Sequence, residues 1–153
     1  MKETVTTIWC LGNTLRGDDG VGVRCGELLL ENPVSHLEVV LCETVPENFA
    51  APLRRTPPEK LIIIDACVMG AAPGSIRLLD PESLDGLTET THGLPLGEIL
   101  KDILPRERIV VIGIEPKDTG FSLTLSAEVE SAARKLARAL SEGEWTRLLG
   151  LSS

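Results

Sequence analysis

Two adjacent aspartates, Asp18 and Asp19, stand in the glycine-rich stretch GNTLRGDDGVGVR, residues 12 to 24. A third, Asp65, follows the apolar run LIII, and His92 lies in the polar stretch TETTHGLP. Gly12 and Gly17 have the spacing that opens a phosphate-binding loop, but Asp18 and Asp19 occupy the places of its Lys and Ser or Thr. Carboxylates within ~5 Å of a phosphate repel it, which argues against a nucleotide site. One acid can cap the helix that follows; the second is surplus to that task. Asp19, Asp65 and His92 make a ligand set suited to a divalent transition metal such as zinc or nickel, with positions left over for water or substrate. Nucleophile chemistry has weaker support, because G-x-S-x-G is absent and no cysteine neighbours a histidine in sequence. His36, just ahead of LEVVL, reads as a turn residue.

The apolar pattern supplies a scaffold that would bring these residues together. TTIWCLG, LEVVLCET, KLIIIDACV and RIVVIGIEP read as strands, the last two as continuous apolar runs buried on both faces. GVGVRCGELLLEN, PENFAAPLRR with Pro46 in its first turn, and LGEILKDIL read as helices. In SAEVESAARKLARALSE, Val129, Ala132, Ala133, Leu136 and Leu140 fall on one helical face, with Ser126 as N-cap. The terminal EWTRLLGL is expected to pack Trp145 and Leu148 back on the body. Only MGAAPG separates KLIIIDACV from the strand SIRLLD, too little for a parallel crossover, so that strand is expected to run antiparallel at or near an edge. The expectation is a three-layer α/β/α sandwich: one domain over residues 1–153, with a doubly wound, mostly parallel sheet of about five strands and one antiparallel strand. With a strand order 2-1-3-4-5, the ends of the first and third strands are neighbours at the switch point, and Asp19 and Asp65 face one crevice. The polar stretch from Pro81 to Pro95 is expected to be a functional loop.

Composition narrows the partners. The 153 residues carry a net charge of −8, which argues against nucleic acid and anionic membrane surfaces. No run reaches the ~18 apolar residues of a membrane span and no signal-peptide pattern opens the chain, so a cytoplasmic location is expected. Cys10, Cys25, Cys42 and Cys67 show no CxxC spacing and read as small buried hydrophobes.

GNTLRGDDGVGVR, PEN at 46–48, IIIDA at 62–66, TTHGLPL at 90–96 and VIGIEP at 111–116, in that order, resemble the nickel–iron hydrogenase maturation proteases. The likeness is greatest to the subgroup serving membrane-bound or formate-linked hydrogenases. It implies an endopeptidase that removes a C-terminal extension from the precursor of a [NiFe] hydrogenase large subunit already carrying nickel. By motif position it implies that Asp19, Asp65 and His92 contact the substrate's nickel, with Gly12, Asn13, Asp18 and Gly20 as the supporting loop. It assigns no role to Glu115. Nickel then comes with the substrate, no tightly bound organic cofactor is expected, and the enzyme is expected to be a monomer. Two mechanisms stay open. The metal polarises the scissile carbonyl or supplies a hydroxide, or Asp19 and Asp65 act as general base and acid on a water. A self-contained metallohydrolase and a nickel carrier are alternatives, although with two histidines the chain has no His-rich tract.

Overall fold

The computed structural model describes residues 5–86 and 95–150. Five strands form one sheet: β1 (Thr6–Leu11), β2 (Leu37–Glu43), β3 (Lys60–Ala66), β4 (Ile76–Leu79) and β5 (Ile109–Ile114). The helices are α1 (Val21–Glu31), α2 (Ala50–Arg55), α3 (Leu96–Leu100), α4 (Ala127–Glu142) and α5 (Trp145–Leu148), joined by short 3-10 turns.

The strand order is β2-β1-β3-β5-β4, with every pairing parallel except β4 against β5. β4 does run antiparallel at an edge, as its short connection requires. The last two places differ from the order 2-1-3-4-5, because β5 inserts between β3 and β4. Burial explains the insertion. β5 is almost wholly buried and needs cover on both faces, whereas β4 is short and half exposed along its length, a pattern an edge strand tolerates.

Alternate residues of the central strands feed two cores. Ile8, Cys10, Ile62, Ile64, Ile112 and Ile114 point to one face, where α1 and α4 lie over them through Val21, Cys25, Val129 and Leu136. Trp9, Leu11, Leu61, Ile63, Ile109 and Val111 point to the other, against Leu53, Leu96 and Leu100 of α2 and α3. Each face is apolar because each is covered, which is why the strands read as unbroken hydrophobic runs. Trp145 and Leu148 return to the first core, and Lys60 Nζ sits 5.3 Å from the Trp145 ring centroid. Cys10, Cys25 and Cys42 are buried and Cys67 is half-buried. Burial raises all four thiols, Cys10 to about 12, so none is poised as a thiolate.

Candidate active site

β1 and β3 are adjacent and parallel, so their carboxyl ends open on the same edge. The 3-10 turn Gly17–Gly20, which carries both Asp18 and Asp19, packs against the end of β3. Helix α1 then begins in close contact with both strand ends: a Cβ on Gly22 would lie 2.4 Å from the carbonyl oxygens of Leu11 and Ile64. Gly12 is needed for a similar reason. Its φ is +137°, and a Cβ there would meet the Asp19 carbonyl oxygen at 2.0 Å. The loop thus folds back on itself main chain to main chain. The Gly12 amide also donates to Glu43 O at 3.0 Å, tying the loop to the end of β2.

The two neighbouring acids differ sharply in setting. Asp18 is fully buried. Its Oδ2 accepts from the amides of Lys117 and Asp118, each at 2.9 Å, and from Ser126 Oγ at 2.8 Å. Its Oδ1 accepts from the Ser126 amide at 2.7 Å. Burial pushes this carboxyl upward, but the four hydrogen bonds outweigh it and hold it below the usual aspartate range. Asp18 therefore does not cap the helix that follows it. It clamps the loop between β5 and α4, some hundred residues away in sequence. Ser126 stands at the N-cap of α4 as its type suggests, yet its hydroxyl makes no cap bond and turns to Asp18 instead.

Asp19 is half-buried, and its Oδ2 accepts from the Asn13 amide at 2.9 Å. Asn13 in turn closes a turn through its own Oδ1, which accepts from Leu15 N at 2.9 Å. Asp65 is fully buried at the penultimate position of β3, with Oδ1 accepting from Ala66 N at 2.8 Å. Asp19 and Asp65 thus lie at the same end of two hydrogen-bonded strands. His92 lies outside the described residues, so the geometry concerns the two acids. Among the described residues no three His, Cys, Asp or Glu side chains gather as a metal site. Of the Pro81–Pro95 stretch, Pro81–Gly86 forms a 3-10 turn.

Glu115, to which the sequence reading gave no role, is also buried at this edge. Its Oε1 accepts from Met69 N at 2.7 Å and Ala71 N at 3.1 Å, while its backbone bonds to Gly74 and Ser75. It fixes the loop that leaves Asp65, and its charge and that of Asp65 both act on Cys67. The signal was present in the sequence: an acid ends the apolar run of β5 much as Asp65 ends that of β3. Asp18 and Glu115 are thus two buried carboxylates that fasten loops at the carboxyl edge of the sheet. His36 borders β2, where its carbonyl accepts from the Thr6 amide at 3.0 Å.

Residues 23–142 match the family model described as Hydrogenase maturation protease. The chain is 31% identical over 134 residues to the Hydrogenase 3 maturation protease of Escherichia coli K12, covering 86% of this chain and 85% of that one. It superposes on the [NiFe] hydrogenase maturation protease HycI from Thermococcus kodakarensis with a TM-score of 0.79, at 30% identity and 93% coverage of both chains. A crystal structure of a Hydrogenase 3 maturation protease matches with a TM-score of 0.80 at 28% identity, covering 98% of this chain and 96% of the other.

Proposed function

We propose, from the premise that this chain belongs to the hydrogenase maturation protease family, that it cuts the large-subunit precursor of a [NiFe] hydrogenase and recognises that substrate by its nickel. Family membership makes it a peptidase of hydrogenase maturation. The finer reading rests on one observation: buried Asp65 near the end of β3 and half-buried Asp19, in the turn after β1 that main-chain contacts hold against β3, lie at the same edge of the sheet. The substrate's nickel is then held by Asp19, Asp65 and His92, and the bond cut lies beyond the nickel-binding motif, releasing a C-terminal extension.

A carboxylate has two oxygens, so each acid can face the ion and still exchange a proton. One of the pair takes a proton from a water as the water's oxygen attacks the scissile carbonyl carbon. The protonated acid returns that proton to the leaving amide nitrogen as the C–N bond breaks. Burial of Asp65 suits this work, since a water-poor setting strengthens every charge interaction in it. Asn13 aims Asp19, and Glu115 fixes the loop behind Asp65. The enzyme brings no metal of its own and works as a monomer in the cytoplasm; among the described residues no helix is long and apolar enough to cross a membrane.

The test is the intact mass of a nickel-loaded large-subunit precursor with and without the protein, beside a nickel-free control. Loss of a C-terminal fragment from the nickel-loaded sample alone supports the reading. Equal cutting of both samples removes nickel from recognition. An unchanged mass, with nickel passing between the proteins, leaves a carrier.

A further inference from the structure

The exposed apolar residues are unevenly placed. Among the described residues the four most exposed large hydrophobics are Phe121 (86%), Val68 (81%), Leu123 (74%) and Leu15 (52%). All four lie on loops leaving the carboxyl ends of β1, β3 or β5, the edge that holds Asp19 and Asp65. Three of them are joined. Arg16 and Ser122 form a parallel bridge, with Gly17 N donating to Ser122 O at 2.9 Å and Ser122 N to Leu15 O at 3.1 Å. Leu15 precedes Arg16, and Phe121 and Leu123 flank Ser122, so the three share one short ladder.

This ladder is braced. Asp18 anchors the 117–126 loop at three amides, Gly120 N bonds Asp118 Oδ1 at 2.9 Å, and Ser122 Oγ bonds Thr124 O at 3.1 Å. Apolar side chains held outward on a braced loop mark a contact surface, where scattered single ones would not. From Leu123 a groove of about 510 Å³ continues between the two loops, lined also by Thr14, Gly17, Gly20, Thr124 and Leu125. Gly17 and Gly20 bound the turn that carries Asp19, so the groove runs along the acid-bearing turn. The charged far end of the groove is neutralised internally, as Arg24 pairs with Glu130 at 3.0 Å and with Glu27 at 3.8 Å.

We propose that Leu15, Phe121 and Leu123, with the groove behind them, seat an apolar stretch of the precursor's polypeptide beside the bond that is cut. The inference rests on the reading that Asp19 and Asp65 mark the cutting site. The occupant follows from that placement: a peptidase must hold the chain next to its scissile bond, and this apolar surface stands on the loop that carries Asp19 and on the loop bridged to it. The seat sets affinity and register, and the acids do the chemistry.

The test compares the wild type with Phe121→Ser/Leu123→Ser, Leu15→Ser alone, Leu30→Ser as an exposed control on α1, and Asp65→Asn, all on intact nickel-loaded precursor. The expected result is a KM raised at least about tenfold in the double variant, with kcat changed less than about threefold and Leu30→Ser unchanged. Leu15→Ser gives a smaller rise and stands in should the double variant misfold. An unchanged KM in both patch variants, while Asp65→Asn stops cutting, overturns the seat and leaves the site reading intact. Normal cutting by Asp65→Asn with an unchanged KM in the patch variants overturns both. A wild-type dimer that the double variant splits, with KM unchanged, assigns the patch to a second copy of the chain and also overturns the proposal.

Discussion

Asp18 and Asp19 are the same residue type, side by side in one turn, and the fold puts them to opposite uses. Asp18 spends both oxygens on four donors of a distant loop and is sealed from water. Asp19 keeps one oxygen on Asn13 and stays half-buried. Asp65 and Glu115 lie one and two strands away at the same edge, both buried, with Glu115 fastening the loop that leaves Asp65. Neighbouring carboxylates of one edge can thus differ in task, and on the proposed reading the chemistry falls to Asp19 and Asp65 while Asp18 and Glu115 hold the loops.

The largest effect that can break this comparison is in cutting. Asp65→Asn and Asp19→Asn are expected to lower the cleavage rate by about 10²–10⁴-fold while thermal melting stays close to wild type. A large loss of stability in Asp19→Asn would place it with the fasteners. Asp18→Ala is expected to invert the profile: unfolding in urea should show a loss of about 3 kcal/mol, because the amides of Lys117, Asp118 and Ser126 lose their buried acceptor. A stable Asp18→Ala protein with unchanged melting would remove the distinction.

Acid unfolding sharpens it further. The folded Asp18 carboxyl titrates below its unfolded value, so between the two the unfolded chain binds more protons. Its contribution is fully present above pH about 4 and is lost as the pH falls through the folded value. Glu130, lowered chiefly by its hydrogen bonds from Arg24, acts in the same sense. Replacing Asp18 by Asn should flatten the fall of stability on the acid side, and an unaltered slope would place the depressed carboxyl elsewhere. The smallest effect concerns Arg24, which forks onto Glu130 at 3.0 and 3.1 Å across α1 and α4, both side chains being partly exposed. Arg24→Ala should cost about 1 kcal/mol or less by the same urea measurement.

Much of this was readable from residue order alone. Unbroken apolar runs marked β3 and β5 as central, the short MGAAPG link marked β4 as reversed, and the adjacency of the first and third strands put Asp19 and Asp65 at one edge of the sheet. What stayed hidden depended on contacts between remote segments. Nothing near Asp18 in sequence reveals that its donors lie at 117, 118 and 126, so its local reading was a helix cap. Glu115 has no role legible in the sequence because its partners, Met69 and Ala71, arrive from another loop. The exchange of β4 and β5 is a matter of which strand needs covering on both faces, a comparison that neither run makes by itself.

The contacts at Gly12 and Gly22 carry a consequence for how such a protein can drift. The separation of the acid-bearing turn from the end of β3 is set by main chain against main chain, at Asp19 O, Leu11 O and Ile64 O. Peptide groups keep their size whatever side chains accompany them. Exchanges among Ile62, Ile64 and their neighbours can therefore wander, trading thermal tolerance up or down, without resetting the gauge between the acids. Positions 12 and 22 have no such latitude. A single methyl group there moves the ruler itself.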